Sequence, residues 1–478
     1  MKGNRFLKYT IDYLGLGLIA LLMQGCSSFE QDFSITPLGE VKILMDKSEY
    51  DVVQLEKIHI PVTLTVPPGK TGRYAYRWKA MTNEAIYILS DKKDLDTIIN
   101  LPPQQYNIQY TVTDLDNGLE FNKQLFLNVN GAFYEGWLVS HNRGGKGKLT
   151  FIRADDVVYP DPVGQANNLS FPENLKATFY TQIPYRAKYA SIASFTETEV
   201  FRFDPNTFKL TGKSEEVFMS PSGYDGIAWD SGLGGIDQYF INKGELHVGM
   251  GDFYPEDILK PYTPGLGGDY DLFPAVISSN SYRTFFYDNK YKRFLVALAF
   301  ERALTVASNG SNSTLSIFNM SNVGKTMIAA EKGRASYSSA VFYFVMQDNE
   351  GRYVASINDS DPSLFQKVID SQCPDFSKAK LFAASGLFQH MYYAVGNKIY
   401  LYNIVANTAE LLYSFPGAQT ITDIEINRKT GRTLAVATLD GTSGILNLFD
   451  INDLGQFVDA SPKKVFGNLG HIIHINYK

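Results

Sequence analysis

Few side chains in this 478-residue chain are of a type and spacing that could do chemistry. The segment HNRGGKGK (141–148) has the lysines and glycines of a phosphate loop. It lacks the Gly-x4-Gly-Lys-Ser/Thr spacing and falls between two expected strands, so a glycine-rich hairpin turn accounts for it. DLDNG (114–118) starts like a calcium loop without the closing glutamate and reads as a turn. His471 and His474 are three apart on an expected strand, which points them to opposite faces, and His247 stands alone, so no metal set is expected. Cys373, in SQCPDF, has no partner cysteine and reads as a small buried residue. No Gly-x-Ser-x-Gly elbow occurs. The 50 acidic residues could supply a carboxylate pair for a glycosidase or lyase, but nothing in the sequence selects one. No catalytic residue, metal ligand or cofactor is assigned, and the chain is expected not to be an enzyme. A hydrolase or lyase acting on glycans or peptides is the alternative.

Binding chemistry is better represented. The stretch GDFYPEDILKPYTPGLGGDYDLFP (251–274) is long and rich in Pro, Gly and aromatics, as functional loops are. Its Tyr254, Tyr262 and Tyr270 would offer flat amphipathic faces to sugar rings, peptide side chains or a partner surface. Tyr224 and Trp229, in SPSGYDGIAWDSG (220–232), form a second candidate. The competing reading is that these aromatics pin their own loops.

The elements that must carry these loops are strands. Aromatics make up 14% of the chain, with 32 Phe and 30 Tyr, residues that suit pleated, half-buried surfaces. Long helical periodicity is scarce, so an all-β protein is expected. The net charge of −6, with both signs dispersed, gives no footprint for nucleic acid. Residues 41–130 hold six short alternating runs, among them IHIPVTLTV, RYAYRWKA and QYNIQYTVTD, separated by turn signals such as PPGKTG, which is the rhythm of a β-sandwich. Tyr76 and Trp78 share one face, the core side, while His59 points away from its apolar neighbours. From residue 131 to 478 a hairpin-like unit recurs, for example in VASNGSNSTLSIFN and VATLDGTSGILNLFD. Its apolar openers are Val139, Ile192, Val248, Val306, Val354, Val395 and Val436, spaced 41 to 58 residues apart. Propeller blades repeat at about 40–50 residues. Seven blades are therefore expected, with six or eight as the other counts, and HIIHINY near the C-terminus is the expected closing strand.

The N-terminus decides where the protein works. In LGLGLIALLMQGCSS the apolar run from Leu14 to Met23 is too short to span a bilayer and sits behind Lys2, Arg5 and Lys8, as in a secretory signal. Gly25 followed by Cys26 resembles the cleavage site of bacterial lipoproteins. That resemblance implies a signal peptide over 1–25, acylation of the Cys26 thiol, and a tether over 26–40. Several acyl chains anchor firmly where one is marginal. Glu30 and Asp32, just after the cysteine, resemble the acidic surface-export signals of Bacteroidota lipoproteins.

RYAYRW, YTVTDLDNG and LFLNVNG, followed by YEGWLVSHNRGGKGKLTFI, together resemble the PKD-like lipoproteins of Bacteroidota. The junction at Gly136, Trp137, Leu138, Val139, Gly147 and Leu149 is the most specific part; KAMTNEA replaces the Asp/Gly cluster usual after the tryptophan. The resemblance implies a PKD-like sandwich followed by the propeller, on an outer-membrane lipoprotein facing the cell surface. It implies a non-catalytic accessory subunit of a SusC/SusD-type TonB-dependent importer, with those importer proteins and other surface lipoproteins as partners, and an oligosaccharide or peptide as ligand. An adhesin or scaffold that contacts another protein is the remaining alternative.

Overall fold

In a computed structural model of the chain, the described residues are 41–66, 72–183, 186–232, 237–250, 261–278, 282–299, 301–309, 317–336 and 339–478. They form two compact units that divide between Val129 and Asn130.

The first unit follows from strict alternation. Along Gln104–Asp114, Tyr106, Ile108, Tyr110 and Val112 are fully buried while Gln105 and Asn107 face out. The five-stranded antiparallel sheet runs, in spatial order, Glu49–Val53, Glu120–Asn130, Gln104–Asp114, Tyr74–Met81 and Ile86–Ser90. Two ribbons, Lys57–Ile60 with Leu95–Ile98 and Lys42–Leu44 with Thr63–Thr65, supply Ile58, Ile60, Leu95 and Leu64 to the same core and make it a sandwich. Trp78 sits at its centre, its ring 4.4 Å from that of Tyr110, with Nε1 donating to the Lys92 carbonyl at 3.0 Å. Tyr76 packs against this core from its edge, and His59 is exposed beside Asp96. DLDNG is a turn: the Gly118 amide donates to the Asp114 carbonyl, and Gly118 has a left-handed φ of 74°.

The second unit is seven antiparallel sheets in succession. Blade 1 contains Gly136–Arg143, Lys146–Arg153 and Val158–Tyr159; blade 2 contains Ala177–Ile183, Arg186–Phe195, Val200–Phe203 and Leu210–Lys213. Blade 3, with three strands among the described residues, contains Ala228–Ser231, Asp237–Asn242 and Glu245–Met250. Blades 4 to 7 begin at Ile277, Thr326, Leu381 and Thr420 and have four strands each. The fourth strand of blade 1 comes from the far end of the chain: His471–Tyr477 pairs antiparallel with Gly136–Arg143, matching Val139 to Ile475. One sheet thus holds both ends of the unit, which latches the ring.

Seven apolar cores, one at each junction, hold the ring closed. Leu138 and Phe151 meet Ile192 and Phe201 between blades 1 and 2; Phe195 meets Trp229 and Phe240 between 2 and 3; Tyr239 and Val248 meet Phe286 and Leu295 between 3 and 4. The series continues through Phe294 with Phe344, Val345 with Tyr393, and Tyr392 with Val436. It closes where Leu446 of blade 7 meets Val139 and Ile475 of blade 1. Each such side chain, fully buried, stabilises the fold by roughly 1.5–3 kcal/mol. This is the connectivity and packing of a seven-bladed β-propeller.

The seven sequence openers count the blades correctly but lie on different strands. Val139, Ile192, Val395 and Val436 are on the strand next to the innermost one, Val248 and Val354 are one strand further out, and Val306 is on the outermost. That offset contributes to the uneven spacing, and loop length does the rest: openers on equivalent strands are 53 residues apart from Val139 to Ile192 and 41 from Val395 to Val436. Middle strands are covered on both faces, so their burial is continuous: all six residues of Asp237–Asn242 are buried. HNRGGKGK is the hairpin between the first two strands of blade 1, with Gly144 and Gly145 at φ 61° and 76° as a tight two-residue turn requires.

Candidate functional site

The innermost strands of the ring enclose a cavity of about 580 Å³. Its wall is built from Phe179–Thr181 of blade 2, Ala228–Asp230 of blade 3, Pro274–Val276 before blade 4, Ala330–Gly333 of blade 5, Gly386 of blade 6, Glu425 and Arg428 of blade 7, and residues 474 and 476–478 of blade 1. Residues more than 290 apart in sequence therefore share one space.

Its dominant feature is an ion cluster across blades 5, 6 and 7. Arg428 Nε donates to Glu425 Oε1 at 2.9 Å and Nη2 to Glu331 Oε2 at 3.1 Å. Arg428 Nη1 reaches the carbonyls of Lys332 and Ala384. The arginine is aimed by its own turn: Asn427 Oδ1 accepts from the amides of Lys429 and Thr430, both at 3.0 Å, which fixes the corner in INRKTG. The carboxylates are 19% and 18% exposed at the side chain, shielded enough for desolvation to dominate their chemistry. Burial pushes Glu331 up to about 7, with Arg428 pulling it back and Glu425 adding to the rise. Glu425 is raised for the same reason. Burial disfavours the charge on Arg428, but Glu425 and Glu331 hold it above its ordinary value. Behind them Asp423 is held well above the usual carboxylate range by burial, while its Oδ2 accepts from the Ile475 amide at 2.7 Å.

Beside this cluster, next to blade 7, lies the closing strand. Burial lowers His474 to about 4, so its ring is neutral, with one nitrogen bonded to the Thr178 backbone and Nδ1 without a partner. Thr181 Oγ1, on a side chain 2% exposed, also has none. Asn476 Oδ1 accepts from the Tyr180 amide at 2.8 Å. At the rim, Lys429 bonds Glu135, and Lys478 donates to the carbonyls of Phe133 and Pro205.

The aromatics singled out from the sequence are placed differently from that expectation. Tyr224 and Tyr262 are buried in the core between blades 2 and 3 and present no outward face. Trp229 is in the same core, its Nε1 donating to the Tyr262 hydroxyl, which in turn donates to Gln238 Oε1 at 3.0 Å. One edge of Trp229 reaches the cavity. Tyr270 is half-buried and ties back to the Leu266 carbonyl. The reason is energetic: rings of this size between two sheets gain more by packing than by exposure. Tyr254, Cys26 and the segment 1–40 lie outside the described residues. Among the described residues, no three His, Cys, Asp or Glu side chains come together as a metal set. Glu331, Glu425 and Arg428 were not singled out from the sequence. Their one signal is an acid embedded in an apolar first strand, as in MIAAEKG and TITDIEI.

Comparison with known proteins gives a profile match to the PKD-like family over residues 35–176. No curated protein sequence matches the chain. Among solved structures, a Bacteroides uniformis protein assigned as a 6-phosphogluconolactonase is 11% identical, with a TM-score of 0.45, over 72% of this chain and 99% of that one. The extracellular domain of a one-component system from B. thetaiotaomicron is 12% identical, with a TM-score of 0.36, over 63% of this chain and 36% of that one. A chain of a mitotic checkpoint complex is 8% identical, with a TM-score of 0.38, over 73% and 85%. Likeness at this level assigns no activity.

Proposed function

We propose that this chain, which carries a PKD-like domain and a seven-bladed ring, is a lipoprotein of the bacterial outer-membrane surface. In this reading it is a non-catalytic accessory subunit of a SusC/SusD-type importer and captures an oligosaccharide or peptide. Cys26 anchors it, and the ring presents the binding site. The observation that carries the binding reading is the cavity of about 580 Å³ at the ring's centre, lined by both polar and apolar side chains and of a size typical of small-molecule sites. Glu331 and Glu425 are both committed to one guanidinium, which suits holding a ligand better than passing protons to it.

A second reading draws on the raised Glu331, since a carboxyl near 7 can serve as a general acid. It makes the protein a propeller hydrolase or lyase, and turnover of candidate glycans and peptides would reveal it. The accessory reading is tested by affinity purification of the full-length protein from native outer membranes in mild detergent. A SusC-type barrel and its SusD-type partner should be recovered in stoichiometric amounts. Recovery of the chain alone would overturn the subunit role.

A further inference from the structure

We propose that the central cavity takes a neutral oligosaccharide, about the size of a disaccharide, held through hydroxyl groups that donate and accept at once; this rests on the ring being a binding module and names its ligand class. Charge on the wall is balanced. Lys332, Arg428, Lys429 and Lys478 stand against Asp230, Glu331 and Glu425, and Glu331, near 7, is ionised only in part at neutral pH. Most of these charges are already answered: Arg428 by the two glutamates, Lys429 by Glu135, and Lys478 by the carbonyls of Phe133 and Pro205. A ligand with a net charge of either sign finds no excess on this wall to meet it, and breaking one of the existing pairs to make room is costly in a shielded site.

What stays open on the wall is of both kinds. Asn476 gives Oδ1 to the Tyr180 amide and keeps its Nδ2 donors, and Lys332 Nζ has no partner among the described residues. Glu425 gives Oε1 to Arg428 and to the Ile426 amide and keeps Oε2, while Asp230 gives Oδ1 to the Ser231 amide and keeps Oδ2. All four residues line the cavity, and none of these open atoms is sealed off. A sugar hydroxyl carries one donor and two acceptor sites on a single atom, so it can answer either kind wherever it falls. A short peptide puts donor and acceptor on separate atoms and adds a charge at each end. The same wall carries Phe179, Trp229, Val276 and Phe342, apolar surface on which the C–H face of a sugar ring can rest. A volume of about 580 Å³ is room for a disaccharide.

Titration calorimetry on the full-length protein, in a detergent without a sugar headgroup, tests this. The probes are maltose, cellobiose, lactose, mannobiose and xylobiose, the uronic-acid and amino-sugar analogues of whichever binds best, and dialanine with its N-acetylated amide. At least one neutral disaccharide should bind with a Kd of about 1 mM or tighter, and about tenfold or more tighter than its two charged analogues and both peptides. Lys332→Met removes an open donor that holds no protein partner, so the variant should melt as the unsubstituted protein does and bind that disaccharide about fivefold or more weakly. No heat from any neutral disaccharide at about 10 mM would overturn the proposal, as would equal or tighter binding of a charged analogue or a peptide, or unchanged affinity in Lys332→Met. A peptide or charged sugar that binds in place of the neutral ones removes the ligand class and leaves the binding module standing. Silence from every probe counts against both, and importer co-purification is read separately from either.

Discussion

Replacing Arg428 by methionine should destabilise the ring in a manner that depends steeply on pH. The guanidinium stitches blades 5, 6 and 7 by bonds to Glu331, Glu425 and the Ala384 carbonyl. Removing one partner of a fully buried ion pair costs about 3–5 kcal/mol. Here the carboxylates are about one-fifth exposed and Arg428 is 30% exposed, so about 2–3 kcal/mol is expected where both acids are ionised. Glu331 already titrates near 7, and without Arg428 both acids rise further. A carboxyl whose folded value lies above its unfolded one stabilises the fold below the unfolded value and loses that contribution as pH rises through the folded one. The penalty should therefore be small at pH 5, roughly 1 kcal/mol or less, and reach its full size by pH 8. A unit of this length shifts by about 1–2 °C per kcal/mol, so calorimetric melting should fall by about 3–5 °C at pH 8 and by about 1 °C at pH 5. Adding Glu331→Met and Glu425→Leu to the same chain should restore most of the loss, since an apolar set leaves no charge uncompensated. A deficit equal at both pH values, or none at pH 8, would refute the electrostatic role of the cluster.

Further perturbations probe the ring seam and the first blade. His141 is held near 4 by burial, its Nδ1 accepting from the Gly470 amide at 3.0 Å, and His474 sits near 4 for the same reason. Such histidines stabilise the fold above about 6.5 and lose this as pH falls towards 4, up to about 3 kcal/mol each, while Glu331 works in the opposite direction between 7 and 4.5. His141→Gln should flatten the fall in melting temperature between pH 6.5 and 4, and slopes parallel to the unsubstituted protein would contradict this. Gly147→Ala would place a Cβ 2.5 Å from Leu175 Cγ and 2.8 Å from its amide nitrogen. Denaturant titration should register a loss of about 2 kcal/mol or more, and an unchanged midpoint would count against the packing described. Deleting residues 471–478 strips the inner strand from blade 1 and the seam contacts of Ile472 and Ile475. Size-exclusion chromatography should show aggregate, and a monodisperse peak would mean that closure does not depend on this strand.

The fold was legible because its signals are local. Alternation through RYAYRWKA placed Tyr76 and Trp78 on the core side, and GG at 144–145 marked a hairpin. The repeat yielded the number of blades without their register, because a strand covered on both faces, like Asp237–Asn242, loses the two-residue period that would locate it. The site was not legible. Glu331 and Arg428 are 97 residues apart and meet only because the ring brings the first strands of blades 5 and 7 to one cavity. Among 50 acidic residues, an acid within an apolar strand is too weak a local mark to single out Glu331 and Glu425. The aromatics misled for a related reason: Tyr224 and Tyr262 lie in loop-like sequence, yet the neighbouring sheet buries them.

Protease shaving of intact cells, with the Cys26→Ser variant alongside, tests the surface-anchored account most directly. The unsubstituted chain should sediment with the outer membrane and be digested while periplasmic markers survive, and the serine variant should leave the membrane fraction. A chain that stays protected in intact cells, or a serine variant that remains membrane-bound, would contradict the account.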